Sequence, residues 1–251
     1  MDRTTTLPLL VSIGLIVVLQ IVVGHNNSFT TNPEVKRRWQ HALTGHALIV
    51  VSHLVPKNMC IAALAIASLV LYYLRIYQSF LFFRIFGPLL RPSERSTQSP
   101  TLPGAFYFLV GTAVTATVFP MTIARYAVEC LSLADPMAAF VGQSIASPKL
   151  SRTASLSGTL ACFGTAWMIG LWYLPSTTTN DSTDTTIFGK TTDGSWTVPT
   201  THDLIRMTVG AMACALAEAL PLGNDNLTIP LVTAFAVQYV PYEQISPHWN
   251  P

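Results

Sequence analysis

Charge is what this sequence lacks most. Of 251 residues, 14 are Lys or Arg and 12 are Asp or Glu, 10% in all, against about 25% in an average soluble domain. The net charge of +2 is spread thinly. No basic block exceeds Lys36-Arg37-Arg38, which excludes the electrostatic footprint of a nucleic-acid binder, and no nucleic-acid partner is expected. Paired cysteines are missing as well. Cys60, Cys130, Cys162 and Cys214 form no CxxC and each lies in an apolar run, so they read as small buried hydrophobes rather than disulfides or a metal site. No internal repeat is visible.

Long apolar runs are present instead, and half of the residues are hydrophobic. A bilayer's hydrocarbon core needs roughly 17 to 25 apolar residues per helix. Residues 7–24, 41–56, 59–75, 104–120, 121–147, 156–174, 203–221 and 226–241 meet or approach that length. The expected fold is an all-α integral membrane protein, a polytopic helical bundle of about 7–9 transmembrane helices. Residues 1–251 form one transmembrane domain, in which 1–35 are an anchor span and loop and 36–174 the core spans. Residues 175–203 are a Ser/Thr-rich, flexible lumenal loop, and 204–251 hold the last two spans and the tail. The first run reads as a retained anchor, because it lacks a small-x-small cleavage site. Residues 76–90, interrupted by Arg84, suit an interfacial helix or a continuation of the preceding span. With that stretch not crossing, the basic clusters at 36–38, 75–95 and 149–152 share one face, the cytosolic or stromal one.

Ionisable residues inside spans cost several kcal/mol and therefore need a partner, a water-filled cavity or a function. His41, Asp135 with Glu129, the stretch 153–163, and Glu218 with Asp225 and Asn226 all approach the basic face in this topology. Each also has a plainer reading. His46 and His53 suit a helix face near water; Asp225-Asn226 suit a helix cap; Arg125 and Glu129, at i, i+4, suit mutual neutralisation. Asp135 precedes Pro136, which frees a backbone carbonyl, a feature tolerated in membranes where the backbone lines a protein-walled cavity.

Taken in order, "RRWQHALTG", "LPGAFYFLVGT", "LADPMAAFVGQSIA", "ASLSGTLACF" and "AEALPLGNDNLTIPL" resemble the polyprenol kinase family. That family includes dolichol kinase and the CTP-dependent diacylglycerol kinase, and the match is nearest to its phytol and farnesol kinase branch. Order and spacing hold from about Arg37 to Leu231. The resemblance implies a multi-pass kinase of the endoplasmic reticulum or plastid envelope that transfers a phosphoryl group from CTP, with Mg²⁺, to an isoprenoid alcohol such as phytol, farnesol or a polyprenol.

Phosphoryl transfer depends on positioning and charge neutralisation, so it wants carboxylates for the metal, cations for phosphate, and Gly where backbone approaches closely. On that footing Asp135 and Asp225 are the candidate metal ligands. Asp135, Asp225, Glu218 and His41 are the candidate catalytic groups, Glu218 as a further ligand or a base. Arg38, Arg152, Lys149, Ser155, Gly158, Thr159 and Asn226 are the candidate nucleotide and phosphate binders.

The chain departs from the family pattern at Ala154, where a Lys is usual, and at Ala139 and Ala146. Residues 189–196, "GKTTDGSW", imitate one motif from within the polar loop. Two other readings stay open: a CTP-dependent diacylglycerol or dolichol kinase, and a non-catalytic relative or small transporter. The sequence does not set an oligomeric state.

Overall fold

The computed structural model describes residues 32–87, 102–152, 154–174, 199–220 and 223–240, together with Gly14, Leu90 and Glu94. Secondary structure among them is helical apart from one isolated bridge. The helices are α1 (Pro33–Leu54), α2 (Lys57–Tyr77), α3 (Ser79–Phe86), α4 (Gly104–Val118), α5 (Met121–Glu129), α6 (Asp135–Ser144), α7 (Leu156–Tyr173), α8 (Thr201–Ala219) and α9 (Asp225–Gln238). A π-helical turn, Cys130–Ala134, joins α5 to α6. Seven of the eight expected segments are therefore helices. The first, 7–24, and the mimic at 189–196 lie outside the described residues.

Length and composition separate these helices. Among the described residues, one helix, Lys57–Tyr77, is both long and apolar enough to cross a membrane by that criterion, and Gly104–Val118 is a shorter apolar helix. At 15 and 14 residues, α4 and α9 extend about 22 Å at 1.5 Å per residue. α1 begins with Glu34, Lys36, Arg37 and Arg38. α3, with eight residues, is about 12 Å long and too short to cross alone. Buried Arg75 anchors it, the guanidinium lying 5.3 Å and 4.9 Å from the Phe82 and Phe83 ring centres and donating to the Glu94 carbonyl.

Small residues are prominent in the middle: Ala127, Ala134, Cys162, Ala166, Ala211, Cys214, Ala217 and Ala234 are all at 0% exposure, beside Tyr126, Leu131, Met207 and Ile229. Large apolar side chains point outward, with Leu69 at 68%, Val118 at 63% and Leu160 at 60%. In water such a surface would be an aggregation liability, whereas small residues at helix contacts are how helices associate in lipid, where backbones must come close for dispersion to act. The four cysteines are buried, as expected, and free; Cys162 and Cys214 meet at 3.6 Å between α7 and α8.

Close approaches recur at glycine. A Cβ on Gly158 would sit 2.6 Å from the Ala138 carbonyl, and one on Gly142 would sit 2.6 Å from Ser155 Oγ, which locks α6 onto α7. A Cβ on Gly210 would meet Val237 and Tyr126. α4 meets α9 through Gly111, against the Asn226 carbonyl. Pro230, four residues on within α9, has no N–H for that carbonyl, so the freed oxygen turns toward the gap at Gly111. Gly111→Ala closes the gap against backbone that cannot rotate away. It is expected to cost about 1–3 kcal/mol, seen as a lower Tm in detergent, while Ala113→Gly, on the same helix, costs no more than about 1 kcal/mol.

Candidate active site

Asp135 owes its position to an irregular helix. Pro136 would clash with the carbonyl of Ser132 in a regular α-helix. The wider π turn over Cys130–Ala134 takes up that mismatch just before it, and such turns often mark functional sites. The turn is anchored at Ser132, whose hydroxyl donates to the Val128 carbonyl at 2.7 Å and fills the space beside Gly45 of α1.

Glu218 sits half-buried in the last turn of α8. Its Oε2 is 3.5 Å from Thr159 Oγ1 in the first turn of α7. Asp135 and Asp225 lie close enough to repel the Glu218 carboxylate, and Arg38 close enough to attract it. Residues from α1, α6, α7, α8 and α9 therefore converge. Three acids near one another are costly unless cations offset them, and Arg38 supplies one such charge from α1. It is also 3.9 Å from Glu34. His41, one turn along α1, packs edge-on against Phe108 of α4 with ring centres 4.7 Å apart.

The other candidates are placed differently. Ser155 is buried and caps α7, its Oγ accepting from Gly158 N at 3.3 Å. Gly158 is needed for helix contact. Ala154 is also buried. Lys149 and Arg152 are exposed on a tight hairpin between α6 and α7, held by Leu156 N to Pro148 O at 2.9 Å, Leu150 N to Ala154 O at 3.1 Å and a Ser147–Ser157 hydroxyl pair at 2.8 Å. Asn226 donates its amide to the Gly104 carbonyl at 2.8 Å, tying α9 to α4. Asn224, rather than Asp225 or Asn226, caps α9, accepting from Asn226 N. Asp225 is the exposed first residue of α9, so capping does not account for it. The preceding turn uses Gly223 at φ 126°, a conformation that favours glycine.

Glu129 corrects a second expectation. Its partner is His46 of α1, at 2.7 Å, not Arg125. Arg125 instead donates to Ser52 Oγ at 2.9 Å and Ser52 O at 2.7 Å. Helical spacing alone favours the i, i+4 pair; tertiary packing places α1 against α5 and offers both groups partners across it. His46 and His53 are exposed.

Among the described residues, no three His, Cys, Asp or Glu side chains form a ready-made metal cage. Mg²⁺ in phosphoryl transfer is commonly held by one or two carboxylates plus the nucleotide's own phosphates. Asp135, Glu218 and Asp225, converging without closing on one point, fit that use.

The chain is 24% identical over 229 residues to CTP-dependent diacylglycerol kinase 1 of Saccharomyces cerevisiae, covering 84% of this chain and 75% of that one. It is 31% identical over 160 residues to CTP-dependent diacylglycerol kinase 1 of Schizosaccharomyces pombe, covering 61% of this chain and 66% of the relative. No family model matches, and no solved structure matches. The chain's homologues are thus CTP-dependent lipid kinases, in agreement with the wider kinase family its motifs resemble.

The His46–Glu129 pair yields a stability test. Glu129 is 4% exposed and His46 54%, so His46→Ala strands a buried carboxylate. That loss is expected to cost about 1–3 kcal/mol. Adding Glu129→Gln should recover most of the lost Tm, since a neutral amide needs no counter-charge.

Proposed function

We propose that this chain is a membrane-embedded lipid kinase that transfers the γ-phosphoryl group of CTP to the hydroxyl of a lipid alcohol. The observation that carries it is the convergence of Glu218, Asp135, Asp225 and Arg38 from four helices far apart in sequence, in a bundle whose outer surface is large and apolar. The relatives' names supply the nucleotide and one acceptor, diacylglycerol. The motif resemblance favours an isoprenoid alcohol as the second reading.

Asp135 and Asp225 would hold a divalent ion, Mg²⁺ by expectation, whose charge offsets the nucleotide's phosphates. Glu218 would orient the acceptor hydroxyl and take its proton as the oxygen attacks the γ-phosphorus. The bond to the leaving CDP oxygen then breaks, and the products are the phosphorylated lipid and CDP. Arg38 would steady the phosphate oxygens from α1, with His41 beside it. Lys149 and Arg152, on the hairpin, would meet the nucleotide from the aqueous side and provide the charge that buried Ala154 does not. Thr159 would hold the Glu218 carboxylate in place. The roles of Ser155 and Gly158 would be indirect: they set the start of α7 so that Thr159 faces Glu218.

The full bundle would then cross the bilayer seven to nine times, short helices included. Close packing in the middle and large apolar residues outside support that reading. An endoplasmic reticulum or plastid envelope location follows from the resemblance.

Purified protein in detergent, given labelled CTP, Mg²⁺ and in turn diacylglycerol, phytol, farnesol and dolichol, should phosphorylate at least one of them. Glu218→Gln and Asp135→Asn should each lower kcat/KM by about a hundredfold or more. Labelling of none of the four lipids, or full activity in both variants, would refute the proposal.

A further inference from the structure

A cavity of about 240 Å³ lies between α1, α2, α4 and α5, and none of Asp135, Glu218 and Asp225 lines it. Its walls are mostly apolar, among them Leu48, Leu64, Leu109 and Ala116. From Thr44 to Ser52 along α1 it extends about 12 Å at 1.5 Å per residue. At one end Arg125 reaches Ser52 with two hydrogen bonds. Toward the other end lies Thr112, and its surroundings carry the inference.

Thr112 is buried, 6% exposed, and lines the cavity. Its Oγ1 has no hydrogen-bond partner. The neighbouring threonines of α4 behave differently: Thr115 and Thr117 donate to the carbonyls four residues back, each at 2.7 Å. A buried hydroxyl left unpaired costs free energy, so this one is placed to serve a guest. Phe108 lies one turn earlier on the same face of α4 and packs edge-on against His41. Thr112 is thus about one helical turn, roughly 5 Å, from the residue that meets His41 at the edge of the candidate active site.

We infer that this cavity binds an ester-linked acyl chain of the acceptor lipid, with the Thr112 hydroxyl donating to the ester carbonyl. The inference rests on the lipid-kinase reading and names its acceptor class. In a glycerolipid the ester carbonyl lies only a few bonds from the free hydroxyl, so one can meet Thr112 while the other reaches Glu218 and Asp135. The chain then runs past Ala116 and Leu64 toward Arg125. An isoprenoid alcohol carries no oxygen below its hydroxyl and would leave Thr112 unpaired.

Binding of a diacylglycerol and of the dialkyl ether glycerol with the same chains, which lacks the carbonyls, is read by thermal shift in detergent. The proteins are wild type, Thr112→Val, Thr112→Ser and Ala67→Phe. The ester is expected to bind about fivefold more tightly than the ether to wild type, the worth of one ordinary hydrogen bond. Thr112→Ser keeps that advantage, Thr112→Val loses it, and Ala67→Phe, which fills the cavity, weakens both lipids.

Equal binding of ester and ether to wild type, or an undiminished ester advantage in Thr112→Val, overturns the assignment. Turnover of the same lipids with CTP separates the two levels. Ester-selective binding without phosphorylation supports the cavity assignment and refutes the kinase reading, whereas phosphorylation without ester preference does the reverse.

Discussion

Close backbone approach between helices is the constraint on which this structure depends. At Gly111, Gly142, Gly158 and Gly210 a single added carbon would collide with a neighbouring helix, and many of the buried residues between those points are alanine or cysteine. Interiors built this way gain dispersion from helix surfaces that nearly touch. Larger side chains such as Tyr126, Leu131, Met207 and Ile229 fill the space between those contacts, while many leucines and valines remain on the outside. The same closeness carries the candidate site, because Thr159 can reach Glu218 only if α7 and α8 lie tightly side by side.

Helix irregularities put the chemistry where it is. The π turn before Asp135, Pro136 after it and Pro230 in α9 each interrupt a regular ladder near a polar residue, and the positive-φ turn at Gly223 leads into Asp225. In hydrocarbon an unpaired carbonyl is tolerated only against protein or a cavity. The Asn226 carbonyl, turned toward Gly111, follows that rule. Local strain and close packing are thus two parts of one arrangement: glycine makes the space that proline requires.

Part of the candidate site was legible in the sequence. Asp135, Glu218 and Asp225 stand out because acids within or beside apolar runs need a reason, Arg38 stands out through the motif it opens, and the fold brings the four near one another. Ser155, Gly158 and Asn226 were legible as important but not as what they do. A motif serine looks the same whether it holds phosphate or caps a helix, and an amide looks the same whether it faces a nucleotide or the Gly104 carbonyl. Glu129 illustrates the opposite error, since a neighbour four residues away in sequence was less relevant than His46, 83 residues distant.

Composition and apolar run length pointed by themselves to helices, and to seven of the segments that are helical among the described residues, because helix formation answers to local pattern over one or two dozen residues. Motif order pointed to lipid phosphorylation, a direction in which the relatives agree. Tertiary structure alone decided which polar groups are consumed in holding helices together and which face one another across them. It alone revealed the cavity and the unpaired hydroxyl of Thr112. Those depend on which helix face meets which, and that is governed by the shape of side chains brought together from the whole chain rather than by any stretch of it.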